Sequence, residues 1–268
     1  MPEKYVHVDG IATFVRHVGA TTLPEKAPDL SRGETVVCLH CAHGNSALYG
    51  ELLERLGADH SPLALDLPGH ARSGSLDGLG SIARMSAHLR ALLAKLGVRR
   101  AVLLGESMGG MVALETALAA PERVRALVLI GTGARVPVGD AQIEKLRLIT
   151  EGKARRDFDR SMYGASATPD HMRRGFMEDL KTDPRVVHQN ALAVRHFDRE
   201  KDLARVACPT LVVVGEESTH LEAAADVLAE RIPGARRAVI PKCGGRVPLI
   251  QPDALAGEVS AFLAELPR

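Results

Sequence analysis

A serine between two glycines, Gly105-Glu106-Ser107-Met108-Gly109, carries the strongest chemical signal in the chain. It matches G-x-S-x-G. The apolar run "AVLLG" (101–105) leads straight into it and a helix-forming run follows at once, so the context is strand, sharp turn, helix. A strained turn that lifts Ser107 above a sheet brings neighbouring backbones so close that side chains at the two glycines would clash. The helix behind it aims free N–H groups and a partial positive charge at the serine oxygen. A second piece, "CLHCAHGNSALYG" (38–50), follows another apolar run. Its loop can offer a backbone N–H, read here as that of Ala42, to share an oxyanion with the N–H of Met108. Together these pieces are suited to holding a negatively charged oxygen derived from a carbonyl group.

Such residues need a rigid frame, and the rest of the chain supplies the pattern of one. "KYVHVDGIATFVRHVG" alternates and turns at Asp9-Gly10, which predicts a β-hairpin. Short apolar runs then recur at 35–39, 62–67, 101–105, 126–130, 210–215 and 237–241, continuous enough to predict parallel strands covered on both faces. Between them lie amphipathic helices, such as 81–97, where Ile82, Met85, Leu89, Leu92, Leu93 and Leu96 form one stripe ending at a glycine. Strands alternating with helices predict an α/β fold with a doubly wound, mostly parallel eight-stranded sheet. The stretch 134–205 is charged and has no strand-like run; it is expected to form a helical cap inserted into a core made of 1–133 and 206–268.

The bulk numbers narrow the function classes. With 34 Lys and Arg against 33 Asp and Glu, the net charge of +1 gives no reason to expect nucleic acid or an anionic membrane as partner. There is no long apolar run and no signal-like N-terminus, so the expectation is a cytoplasmic protein acting on a small molecule. Cys38 and Cys41 are spaced as C-x-x-C at the end of an apolar run, but no second such pair follows, and Cys38, Cys41, Cys208 and Cys243 read as reduced thiols, not as a disulfide framework or a metal site. Neither a G-x-G-x-x-G nor a phosphate loop is present, and no cofactor is expected.

The chain resembles α/β-hydrolase-fold proteins of the small capped type, most of all meta-cleavage-product hydrolases, enol-lactonases and related esterases. "LALDLPGHARSGS" is similar to the family's D-x-P-G-H-G-x-S segment, "PERVRALVLIGTGA" to the strand before the cap, and "PDALAGEVSAFLAEL" to the last helix. The resemblance implies a Ser-Asp-His triad, and there the pattern breaks. Ser218 stands at the acid position, three residues after Gly215, and Gly245 stands at the histidine position, seven before Pro252. Losing a triad histidine costs on the order of a millionfold in turnover, about 8 kcal/mol of barrier. Ordinary ester hydrolysis by Ser107 is therefore not expected.

Other residues are candidates to move a proton or shape the pocket. His220 lies two residues past the acid position, where Glu216 or Glu217 could orient it, but reads sooner as the first turn of a solvated helix. His43 stands where the resemblance expects a small residue and either lines the pocket or points away. His40 and His70 read as structural, His40 through a hydrogen bond to its own loop. Cys41 and Cys243 read as small buried residues sooner than nucleophiles. Arg246 stands where solvent or a substrate carboxylate could meet it.

Three functions remain open. The first is a non-hydrolytic enzyme (lyase, decarboxylase, cyclase or isomerase) that stabilises an enolate with the N–H groups of Ala42 and Met108, uses Ser107 as hydrogen-bond donor and moves the proton with His43 or His220. The second is a serine hydrolase of esters, lactones or C–C bonds with a relocated base. The third is a pseudoenzyme that binds a ligand or partner without turnover. The expected ligand is apolar and bears a carbonyl or ester, because Leu, Met, Phe and Ala recur in the cap segments "RSMYGASA" and "RRGFMEDL".

Overall fold

The computed structural model describes residues 1–20, 23, 26–218 and 221–266. In chain order the elements are β1 (Glu3–Val8), β2 (Ile11–His17), β3 (Thr35–Leu39), α1 (Gly50–Leu56), β4 (Ser61–Leu65), α2 (Ile82–Lys95), β5 (Ala101–Glu106), α3 (Met108–Ala119) and β6 (Val124–Ile130). They continue with α4 (Asp140–Thr150), α5 (Pro169–Asp179), α6 (Pro184–Arg195), β7 (Thr210–Gly215), α7 (Glu222–Arg231), β8 (Arg236–Ile240), α8 (Val247–Ile250) and α9 (Pro252–Ala264).

The eight strands form one sheet in the order β1-β2-β4-β3-β5-β6-β7-β8. The hairpin β1–β2 turns at Asp9-Gly10, both at positive φ, and runs antiparallel to its neighbour β4, whereas β3 to β8 are parallel. Side chains alternate along each strand into two apolar layers, which is why the runs look uniformly apolar in sequence. Val37, Leu39, Leu103, Leu127 and Val212 face α2, α3 and α7, while Val36, Cys38, Val102, Leu104 and Val128 face α1 and α9. Helix α2 begins on Ser81, whose side chain accepts the Arg84 amide, and ends at Gly97, whose φ of +72° lets Val98 N reach back to Leu93 O.

Two features of this frame position chemistry. Strand order reverses between β3 and β5, and the crevice beyond their carboxyl ends is where open α/β sheets take ligands. The loops after β3 and β5 carry Ala42 and Ser107. Between β6 and β7 the described chain contains helices and no strand, and α4 and α5 lie over that crevice. Among the described residues no helix is long and apolar enough to cross a membrane.

Candidate active site

Ser107 caps α3 with φ +51° and ψ −116°, a conformation costly for any residue with a side chain. The turn is held from both sides: Ser107 N donates to Ile130 O at 2.9 Å, and Thr132 Oγ1 donates to Ser107 O at 2.7 Å. A β-carbon on Gly105 would lie 2.3 Å from Gly109 O, and one on Gly109 would lie 2.1 Å from Leu39 O. Both glycines are thus required by backbone packed against backbone. Gly110 is a third such position, its β-carbon site 2.5 Å from the Thr132 methyl.

The loop after β3 is braced by buried polar groups. His40 is fully buried; its Nδ1 donates to Cys41 O at 2.8 Å and its Nε2 accepts from Leu67 N at 3.0 Å. The Asp66 carboxylate accepts the amides of Ser46 and Arg72, and Ser73 Oγ donates to Asp66 O, so the "DLPGHARS" segment fixes this loop and carries no chemistry of its own. Asn190 on α6 donates through Nδ2 to both Ala42 O and His70 Nε2, each at 2.9 Å. The carbonyl side of Ala42 is thereby anchored. Its amide has no protein acceptor among the described residues, and the Met108 amide opens α3, where a helix offers its N–H groups no carbonyl.

At the other end of the crevice, Ser218 and Gly245 are neighbours. Ser218 is 7% exposed after β7, Gly245 is buried after β8, and a β-carbon on Gly245 would lie 3.9 Å from Ser218 Oγ. The same β-carbon would lie 2.7 Å from the Met162 methyl, which occupies the space where a side chain would begin. Glu217, a pocket candidate from sequence, is exposed and turned away: its carboxylate accepts the Ala165 amide at 3.0 Å and it does not line the cavity. Glu216 is likewise occupied by the Lys242 amide. His220 lies outside the described residues.

A cavity of about 380 Å³ joins these parts, lined among others by Cys41, Ala42, His43, Glu106, Ser107, Gly245 and Arg246. The expectation of an apolar pocket holds for one wall only. Leu146, Ile149, Phe158, Tyr163, Phe176 and Leu180 form the apolar side, but Glu106, Asp179, Arg156 and Arg246 also face the space, with Lys145, Asp157 and Asp159 on the same lining. Glu106 is 4% exposed, and burial, partly offset by Arg246, pushes its carboxyl up to about 7. Arg246 is 7% exposed and its Nη2 pairs with an Asp179 oxygen from α5. Burial works against its charge, but Cys41, Asp179 and Glu106 hold its pKa above the ordinary arginine value. His43 is open to the cavity, and loss of bulk water there lowers its pKa, so it is neutral at pH 7. Burial raises the Cys41 and Cys243 thiols to about 12, which leaves neither as a thiolate nucleophile.

Of the residues singled out in sequence, Ala42, His43, Cys41, Ser107, Gly245 and Arg246 line one cavity, while His40, Ser218 and Glu217 do not. Glu106, Asp179 and Met162 were not anticipated. Glu106 had a visible signal, an acid at the variable position next to Ser107. Asp179 and Met162 lie in the two segments expected to roof the pocket, but nothing singled them out within those segments, because their partners are set by the folding of the segment between β6 and β7.

The family model described as "Alpha/beta hydrolase family" matches residues 36–258. The chain is 32% identical over 218 residues to the dihydrolipoyllysine-residue acetyltransferase component of an acetoin cleaving system from Pseudomonas putida, an alignment spanning 78% of this chain and 57% of that protein. It is also 32% identical to a 2-hydroxymuconate semialdehyde hydrolase from Pseudomonas putida, over 70% of this chain and 71% of that protein. A thermophilic esterase from Thermogutta terrifontis shares the fold, with a TM-score of 0.83 at 23% identity over 98% of this chain and 97% of that one. The match across most of the chain, together with the elbow and sheet order, establishes that the protein belongs to the alpha/beta hydrolase family.

Proposed function

We propose that the protein is a non-hydrolytic enzyme that moves a proton on a small carbonyl compound, as a lyase, decarboxylase, cyclase or isomerase does. One observation carries this reading: the position facing Ser218 is Gly245, so no imidazole stands there, while a buried carboxyl of pKa about 7, Glu106, lines the cavity beside Ser107. The substrate carbonyl oxygen sits between the Ala42 and Met108 amides with the Ser107 hydroxyl as a further donor. Glu106 as carboxylate takes a proton from the carbon next to the carbonyl; the electron pair moves onto the oxygen as an enolate, and the carboxylic acid returns the proton to carbon. A pKa near the working pH suits a group that must both take and give. The segment between β6 and β7 acts as the lid that keeps water from the enolate.

The test is exchange of α-protons of small ketones in D₂O, followed by NMR, beside fluorophosphonate labelling read by intact mass. Exchange that is lost in Ser107→Ala and in Glu106→Gln, with no adduct on Ser107, is the expected result. A stoichiometric adduct within minutes, absent in Ser107→Ala, would overturn it in favour of a serine hydrolase.

That second reading has its own support, because His43 shares the cavity with Ser107 and is neutral at pH 7, the state a base requires. It predicts that the adduct disappears in His43→Ala.

A further inference from the structure

We propose that Arg246 anchors an anion subsite in this cavity, and that the ligand it takes carries a carboxylate. The inference deepens the reading of the cavity as a small-molecule site and rests on that reading, though not on any particular reaction there.

The guanidinium is buried, and its place is fixed from several directions. Arg246 N donates to Met162 O at 3.2 Å, the guanidinium carbon lies 5.6 Å from the centre of the Tyr163 ring, and Nη2 is taken by Asp179. Nε and Nη1 are buried and have no hydrogen-bond partner among the described residues. Together these two nitrogens carry three N–H hydrogens on a group that stays charged at every physiological pH. A buried donor left without an acceptor is rare in folded proteins, and a charged one is rarer because its desolvation is not compensated. This one lines the cavity that also holds Ser107.

Charge selects the class of ligand. The anion already paired to Arg246 is Asp179, while Arg156 donates to the backbone oxygen of Asp179 at 2.6 Å and adds a second cation to the cavity wall. Of the other charged lining residues, Lys145 and Asp157 pair with each other, Asp159 accepts from Ser161, and Glu106 at neutral pH is uncharged in a large share of molecules. The selection is therefore local: the buried nitrogens of Arg246 left without a partner favour an anion, while Asp157, Asp159 and Asp179 on the same wall repel a dianionic phosphate more than a singly charged carboxylate. A carboxylate is also planar and matches the guanidinium edge, and the aromatic wall of Phe158, Tyr163 and Phe176 receives the apolar remainder of the acid.

The probe is the pair phenylacetate and phenylacetamide, of similar shape but with an uncharged NH2 donor in the amide where the carboxylate has its second oxygen, titrated calorimetrically into the protein. Phenylacetate is expected to bind at least about tenfold more tightly than the amide. The double variant Arg246→Met with Asp179→Asn removes both partners of the ion pair, so that no buried charge is left alone, and is expected to erase the preference while retaining a cooperative melt. Arg246→Lys, which keeps the charge and loses the fork, is expected to keep part of it. Equal binding of acid and amide, no binding of phenylacetate, benzoate or hexanoate, or an undiminished preference in the double variant would each overturn the proposal. The readout needs no turnover. If Ser107 labels as a hydrolase nucleophile while the carboxylate preference stands, the proposed reaction falls and the subsite does not.

Discussion

Gly245 faces Ser218, its absent β-carbon pointing to within 3.9 Å of the serine hydroxyl, with the Met162 methyl against it. Under the resemblance these are the base and acid positions. Their adjacency makes a rebuilt pair geometrically accessible, since the obstructing Met162 methyl is the end of a flexible side chain that can shift. The double variant Ser218→Asp with Gly245→His is expected to raise hydrolysis of p-nitrophenyl acetate by about a hundredfold or more, the usual contribution of a placed general base. Adding Met162→Ala should raise it further. Unchanged hydrolysis in both variants would show that the two positions cannot reach Ser107.

Glu106 makes folding stability depend on pH. Its folded pKa of about 7 lies above the ordinary 4.5, so the folded state holds a proton that the unfolded chain has already released. The stability it contributes is complete below about pH 4.5 and is lost as pH rises to 7; a shift of that size corresponds to about 3 kcal/mol. Melting temperatures from pH 5 to pH 8 should therefore fall more steeply in the wild type than in Glu106→Gln, with the variant the more stable at pH 8. Parallel curves would mean that the carboxyl is ionised throughout.

The Arg246–Asp179 pair ties the loop after β8 to α5, at the end of the cavity. Arg246→Met alone leaves a buried carboxylate and should cost about 3–5 kcal/mol, as one-sided loss of buried pairs does. Arg246→Met combined with Asp179→Asn should recover most of that loss. Denaturant titrations of the wild type, Arg246→Met, Asp179→Asn and the double variant give the coupling directly, and additive losses would place the pair in bulk solvent.

The Ser107 backbone stores strain at φ +51°. Ser107→Gly should be more stable than Ser107→Ala by about 1 kcal/mol, because glycine adopts that region freely. Gly109→Ala should do the opposite and disrupt folding, its methyl landing 2.1 Å from Leu39 O. Soluble, normally melting Gly109→Ala would contradict the packing of α3 on β3.

Asn190, on α6, holds the Ala42 carbonyl. Asn190→Ala removes two hydrogen bonds at 2.9 Å and should cost about 1–3 kcal/mol, while slowing any reaction that uses the Ala42 amide. Stability and turnover measured together separate the two effects, and loss of stability alone would detach Ala42 from the chemistry.

The sequence alone determined the strands, the elbow and the glycine at position 245. Continuous apolar runs are legible because both faces of a parallel sheet are covered, and the glycines of the elbow are legible because only they fit where backbone meets backbone. Gly245 and Ser218 are single letters at fixed distances from Pro252 and Gly215, so their identity needed no coordinates. Tertiary structure decided which groups share the cavity with Ser107. Glu106 reads in sequence as the variable letter of a motif, and only burial beside Arg246 gives it a pKa of about 7. Arg246 could equally have met solvent; it meets Asp179, 67 residues away, because α5 folds back over the crevice. Met162 fills the space at Gly245, and Glu217 turns to Ala165, for the same reason. The physical cause is common to all four: periodicity and local sterics fix a residue's element and face, whereas its charge state and partners are set by whatever distant segment is packed against it.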